Sequence, residues 1–323
     1  MLSYSIAIRT LGTGGEKYLE ELRSITRQTV QPEKVVVYIA QGYERPIEQI
    51  GNEEYVWVSK GMMAQRALPY KEITSDCILL MDDDVFLAPD SAERLLTALE
   101  EHNADCVGAD TFKNQEMSVI GKIYAAVTNL VFPRRDDGWA FKIHRNGSFS
   151  YNNHPQPAFY RSQSCAGPCA LWRKAAFINT HLEDELWSER EGFWYGEDVL
   201  LFYKLFLNGG RLGILYDSGI IHMDGQSASA KHRNNLRKYY IRSKASAIIW
   251  HRTIWSVHPS AWTAVAYTFK MLWLLMVNCI AGIALLKPQI IIFFFKGLRD
   301  ASRFCRSNSY LSLPPFVIKN PQQ

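Results

Sequence analysis

The run Cys77-Ile78-Leu79-Leu80-Met81, followed directly by Asp82-Asp83-Asp84-Val85-Phe86, constrains this chain more than any other stretch. Five apolar residues read as a buried strand, and the carboxylates at its C-terminal end fall where open α/β sheets bind their ligands. Side chains alternate along a strand, so the pattern predicts Asp82 and Asp84 on one side and Asp83 on the other. Two carboxylates on one side can share a hard divalent cation and the diphosphate it neutralises. A solvated acidic turn closing a core strand is the simpler alternative, and what surrounds the run argues against it.

Strand and helix signals alternate along the front of the chain. Residues 4–10 read as a strand, followed by Leu11-Gly12-Thr13-Gly14-Gly15, whose glycines allow close approach to a nucleotide. Residues 16–28 carry Leu19, Leu22 and Ile25 at helical spacing behind acids in the first turn. Residues 35–39 and 55–58 read as further strands, residues 62–70 as a helix, and Pro89-Asp90-Ser91 opens another helix with Leu95, Leu96 and Leu99 on one face. Such alternation predicts a mostly parallel sheet flanked by helices. With 323 residues, 47% of them hydrophobic, the chain can bury one large α/β core and carry an appendage.

The net charge of +4 hides a partition. From Gln226 onward 14 Lys and Arg meet the single acid Asp300, whereas residues 1–225 balance to −9. The basic residues bracket apolar stretches: Lys231, Arg233, Arg237, Lys238, Arg242, Lys244 and Arg252 precede residues 261–286, and Lys287, Lys296, Arg299, Arg303 and Arg306 follow. This interleaving favours an anionic membrane surface over nucleic acid as partner. Within 261–286 the run Met271 to Leu286 carries no charge but is short of the roughly 20 residues that a spanning helix needs, and including Lys270 near mid-segment would cost on the order of 3 kcal/mol, so helices lying in the interface are expected, with Trp250, Trp255, Trp262 and Trp273 around them. The first residues lack a basic, apolar leader pattern, which is the expectation for a cytoplasmic protein at the inner face of the membrane. The six cysteines, scattered without a CxxC, are expected to be free thiols.

A second acidic constellation, Trp194-Tyr195-Gly196-Glu197-Asp198-Val199, opens an apolar helix that ends at Asn208-Gly209-Gly210. Glu197 and Asp198 could simply complement the helix dipole, but a carboxylate held beside an apolar wall can also take a proton from an acceptor hydroxyl. His222 closes Ile220-Ile221-His222, where a neutral imidazole is a competent ligand for manganese or magnesium. Ser164-Cys165-Ala166-Gly167-Pro168-Cys169-Ala170 is small and turn-prone, suited to a wall for a sugar, and Trp139, Trp187, Phe193, Trp194 and Tyr195 are candidate stacking platforms, although core packing is the commoner role for each.

In this order the motifs resemble the family 2 glycosyltransferases of the GT-A fold, over residues 5–229. The resemblance is carried by the strand ending at Thr10, by Leu22-Arg23-Ser24-Ile25-Thr26-Arg27-Gln28-Thr29 with Gln31-Pro32-Glu33-Lys34-Val35 after it, by Gly61-Met62-Met63-Ala64-Gln65-Arg66, and by the Asp82-Asp83-Asp84, Gly196-Glu197-Asp198 and His222 elements. Asp82-Asp83-Asp84 looks like the family's DxD motif. The segment Arg233-Asn234-Asn235-Leu236-Arg237-Lys238-Tyr239-Tyr240-Ile241 is similar to the Arg-Asn-rich element of bacterial transferases that build surface polysaccharides.

The resemblance implies a GT-A (Rossmann-like) α/β domain at 1–229 and a basic, helical, membrane-associated region at 230–323. It implies inverting transfer of a sugar from a nucleotide diphosphate donor to a saccharide or lipid-linked acceptor in cell-surface polysaccharide synthesis. By the same resemblance Asp82, Asp84 and His222 would hold Mn2+ or Mg2+. Thr10, Gln41, Arg66, Asp82 and Asp83 would meet the nucleotide-sugar, Asp198 with Glu197 beside it would act as base, and Trp194, Tyr195 and Gly167 would face the acceptor. Where family members carry acids after the second strand this chain has Ala40-Gln41-Gly42, so the donor base stays open. The rival readings are another metal-dependent nucleotide enzyme, such as a nucleotidyltransferase, and a catalytically silent membrane scaffold or sugar-binding subunit.

Overall fold

The computed structural model describes residues 2–111, 123, 138–152, 155, 158–191, 196–223 and 236–319. Its first half runs β1 (Tyr4–Thr10), α1 (Glu16–Thr26), β2 (Val35–Ala40), β3 (Glu53–Val58), β4 (Cys77–Asp82), β5 (Val85–Leu87), α2 (Ser91–Glu101) and β6 (Cys106–Ala109). Then follow β7 (Phe141–Ile143), β8 (Phe149–Tyr151), β9 (Phe159–Arg161), β10 (Cys169–Arg173), β11 (Leu212–Leu215) and β12 (Ile220–His222), and finally the helices α3 (Arg237–Trp250), α4 (Ala261–Ala284) and α5 (Gln289–Cys305).

Eight of these strands form one sheet in the order β3-β2-β1-β4-β10-β6-β11-β9. The neighbours from β3 to β4 are parallel, as are β6 and β11, while β10 runs antiparallel between β4 and β6. The sheet is therefore mixed and mostly parallel. Period-two alternation sorts its side chains: Ile6, Ile8, Leu79 and Met81 pack with Leu22 and Ile25 of α1 and Leu95, Leu96 and Leu99 of α2. Ala7, Val36, Ile78, Leu80 and Trp172 point the other way, into a core shared with Phe202, Ala245, Ile248 and Tyr310. Each leucine fully buried in this way contributes roughly 1.5–3 kcal/mol.

One local expectation is corrected. Residues 62–70 form turns rather than a helix. One helical turn does close, with the amides of Gln65 and Ala67 donating to Gly61 and Met63, but Pro69 follows at once and Tyr70 takes a left-handed φ of 44°. The carboxylate of Glu189 accepts from the amides of Met63 and Ala64, which supports the turn from outside. In the Gly-rich loop after β1 two glycines meet the protein itself. Gly12, with φ 74°, faces the carbonyl of Glu44, and Gly14 faces the side chain of Glu48, so these glycines let the loop pack on the protein itself.

The tail docks onto the front through buried charge. Glu185, with no exposed surface, accepts from Arg252 at 2.9 and 2.8 Å and from the indole of Trp187 at 2.7 Å, and lies 3.3 Å from Lys204. These donors outweigh burial and hold its carboxyl below the usual range, although burial alone acts the other way. Lys244 of α3 pairs with Glu191 at 2.5 Å, and Gly297 lets α5 press against Ser243 and Tyr240 of α3. Trp187, a candidate sugar platform, is core instead. All six cysteines are free thiols.

Candidate active site

The C-terminal rim of the parallel strands gathers charge because register demands it. Pairing of β1 with β4 sets Arg9 opposite Asp82, and the guanidinium reaches Asp82 Oδ1 at 2.6 Å while donating to the carbonyl of Gly167 at 2.9 Å. Arg66 enters from the turn after β3. Its guanidinium meets Asp198 at 2.5 Å, Glu197 at 3.7 Å and Asp82 at 4.0 Å. Burial opposes that charge, but the three carboxylates outweigh it and keep Arg66 firmly protonated.

The acidic run itself differs from strand alternation. The strand ends at Asp82, and Asp83 and Asp84 turn the chain into β5. Asp82 is therefore engaged by Arg9 and Arg66 and does not share a face with Asp84. Asp83 accepts a hydrogen bond from the hydroxyl of Thr10, and burial pushes its carboxyl up against that bond. Asp84 turns toward His222, with Nε2 3.1 Å from Oδ1, because β12 pairs antiparallel with β5 and sets His222 opposite Val85. The expected trio of Asp82, Asp84 and His222 is thus split, and among the described residues no three metal-ligating side chains form a group. Asp84 and His222 still offer a carboxylate and an imidazole side by side on partly exposed side chains, which fits two positions of a manganese or magnesium shell.

The other expected nucleotide residues are placed as follows. Thr10 is buried with its hydroxyl on Asp83, and its carbonyl accepts from Gln65 at 3.0 Å. Gln41 is exposed in the turn that ends β2. Gly167 lies where a Cβ would run into both Arg66 Nη1 and Asp198 Oδ1, so its lack of a side chain makes room for that ion pair.

Glu197 and Asp198 open the apolar helix as expected, and their side chains enter a cavity of about 300 Å³. That volume is at the lower end of the roughly 300–1,000 Å³ of small-molecule sites. Burial and the neighbouring Asp198 push the Glu197 carboxyl up to about 7, against the opposing pull of Arg66. Ser164, Cys165 and Ala166 of the small, turn-prone segment line the same cavity. The acceptor candidates Trp194 and Tyr195, and Phe193 before them, lie outside the described residues.

Sequence reasoning missed three participants. Arg9 is the one charged residue of β1, a signal that was available. Trp250 and Lys270 reach the cavity from the tail, and a lone lysine at mid-length of an apolar helix was the only trace of the latter.

The family model described as glycosyl transferase family 2 matches residues 54–179. An uncharacterized glycosyltransferase of Bacillus subtilis (strain 168), YwdF, is 34% identical over 101 residues, which cover 28% of this chain and 35% of that one. Among solved structures, GalNAc-T7 with UDP, GalNAc and Mn2+ is similar with a TM-score of 0.48 at 13% identity, covering 76% of this chain and 51% of that chain. S. aureus TarS gives 0.44 at 13% identity, covering 95% and 56%. The chain spans about a third of the curated relative and about half of each solved structure. Residues 54–179 are thus similar to a glycosyltransferase family, within a chain whose sheet is mixed, mostly parallel and flanked by helices. Its matched segment is that of glycosyl transferase family 2.

Proposed function

We propose that this chain is an inverting transferase that moves a sugar from a nucleotide diphosphate donor to a saccharide or lipid-linked acceptor at an anionic membrane surface, in the synthesis of cell-surface polysaccharide. The observation that carries the reading is Arg66, which ties the strand-end carboxylate Asp82 to the acid pair of the cavity. A donor bound at the rim would then be next to an acceptor bound in the cavity.

In this reading Asp84 and His222 hold the divalent cation, which supplies charge stabilisation for the departing diphosphate when bound. Thr10, Gln41, Asp82 and Asp83 contribute to the nucleotide side. Arg66, once a diphosphate is present, exchanges part of its interaction with Asp198 for phosphate oxygens. Asp198 then takes the proton of the acceptor hydroxyl as it attacks the anomeric carbon from the opposite face. Glu197, neutral up to about pH 7, keeps a second charge away from that base.

The membrane side rests on α4. Its 24 residues are long and apolar enough to cross a membrane, and within its most apolar window only 6% is buried. Phe269, Leu272, Met276, Ile280 and Ile283 repeat every three or four residues along one exposed face. Thr263, Lys270 and Gly282 are buried on the protein side. A helix with one side on protein and one apolar side outward suits the plane of an interface, and the exposed Lys296, Arg299, Arg303 and Arg306 of the neighbouring segment suit anionic headgroups.

A thermal-shift panel of nucleoside diphosphates, with and without Mn2+, on the wild type and Asp84→Asn tests the reading. Stabilisation by one nucleotide that needs the metal and is lost in the variant is expected, and it names the donor base. A folded wild type that responds to no nucleotide would overturn it.

A further inference from the structure

Lys270 is the feature of this cavity that the transfer reading leaves unused. It is 7% exposed, lines the cavity that Glu197 and Asp198 enter, and has no hydrogen bond or ion pair among the described residues. The other buried cations are all answered: Arg9 by Asp82, Arg66 by Asp198, Lys204 and Arg252 by Glu185, and Lys244 by Glu191. An ammonium taken out of water without a counter-charge costs several kcal/mol. Among the described residues nothing offsets that cost. The helix had apolar choices at this position, since Leu272, Leu274 and Leu275 follow directly.

The rest of the lining is what a partly anionic sugar needs. Phe141, Phe149 and Trp250 offer faces for ring packing, and Ser148, Ser164 and Ser246 offer hydroxyls. The acid pair lines this cavity, and so does Lys270 of α4. A neutral acceptor would use the first and leave the second unpaired.

We propose that Lys270 is the specificity residue for an acceptor sugar that carries an oxyanion, a phosphate ester or a carboxylate, seated with its attacking hydroxyl toward Asp198 and its anionic group on Lys270. The proposal rests on the transferase reading for the role of the acid pair, but not for the binding preference itself. It also gives α4 two jobs on opposite faces, with the apolar side outward and the lysine inward, so the acceptor would be recognised beside the membrane surface.

The test is binding of glucose 1-phosphate, glucuronate and methyl glucoside to the full chain in detergent, for the wild type, Lys270→Met, Lys270→Arg and Asp84→Asn. The wild type is expected to prefer one of the two anionic sugars over methyl glucoside by about tenfold, as for a charge-assisted contact. Lys270→Met should erase that preference and Lys270→Arg should keep it. Asp84→Asn should also keep it, which separates this site from the diphosphate rim. The better of the two anionic sugars identifies the oxyanion. Because the methionine variant removes a buried unpaired charge, its melting temperature without ligand should rise by a few degrees. Equal binding of all three sugars by the wild type would overturn the proposal, as would a preference that survives Lys270→Met. So would a methionine variant that melts lower than the wild type, since the lysine would then be a structural cation. Loss of nucleotide response in the donor panel would sink the transferase reading while leaving this result standing.

Discussion

At the scale of single residues, the site is governed by how tightly charge is packed around Arg66. Gly167 shows how little room is left. A methyl group there lies well inside contact distance of both Arg66 Nη1 and Asp198 Oδ1. Gly167→Ala should therefore push Asp198, the proposed base, from its place, with transfer falling by about 100-fold, the scale of a 1 Å misplacement. The melting temperature should move little. Steady-state kinetics beside a melting curve checks this, and near-normal turnover would mean that the Arg66–Asp198 pair is not the working arrangement. Glu197 gives a second, pH-linked expectation. Its carboxyl is raised to about 7 by burial and by Asp198, above its unfolded value of 4.5. Between those values the folded chain binds a proton that the unfolded chain has released, so this group makes stability fall as pH rises through the window. Glu197→Gln mimics the protonated form. It should show a flatter stability profile from pH 4.5 to 7 and exceed the wild type above pH 7, by denaturant melts at a series of pH values. A profile unchanged by the substitution would place the titration elsewhere.

At the scale of elements, α4 is the segment whose surroundings the described residues leave incomplete. Its exposed face carries five large apolar side chains in register, a larger apolar surface than scattered exposed leucines account for. An anionic lipid surface is the partner that α5's basic residues complement. The full chain should co-sediment with vesicles containing phosphatidylglycerol and do so less as salt increases. The double variant Leu272→Glu with Met276→Glu should lose most of that binding, because both positions face outward and the fold should not depend on them. Sedimentation of the variant equal to the wild type would remove α4 from the lipid contact. The same element shows where sequence reading stops. Periodicity identified an apolar stretch and the absence of a continuous uncharged span, yet it could not tell which side of the helix the protein covers. Lys270 counted in sequence as a penalty for membrane insertion, and only packing turns it into a cavity residue.

At the scale of the whole molecule, what could be read in advance was whatever depends on local pattern. The strands at Tyr4–Thr10, Val35–Ala40 and Cys77–Asp82 and the helix at Ser91–Glu101 follow from apolar runs and cap signals. The antiparallel insertion of β10 between β4 and β6 was not legible, because it is fixed by pairing across tens of residues. The Arg9–Asp82 pair was hidden for the same reason, being a property of β1–β4 register. The separation of Asp82 from Asp84 followed from where the strand ends, which a run of three identical residues does not announce. The docking of the tail was equally invisible, since Glu185 and Arg252 are 67 residues apart and neither stands out in its own segment. Yet that contact decides how the molecule holds together. Glu185 is the counter-charge for Arg252 and, more weakly, for Lys204, all buried where front and tail share one core. Glu185→Ala strands Arg252 in that interior, while Lys204 keeps Asp184 at 3.4 Å, and removing one partner of a buried pair costs about 3–5 kcal/mol. The variant should melt far below the wild type in calorimetry, still in one transition, because the core of the tail is continuous with that of the front. Replacing Glu185 by leucine and Arg252 by methionine together should recover much of the loss, with Lys204 left near Asp184 for compensation. A double variant as unstable as Glu185→Ala would show that the damage comes from lost packing rather than from uncompensated charge. A second transition in either variant would show that the tail unfolds on its own.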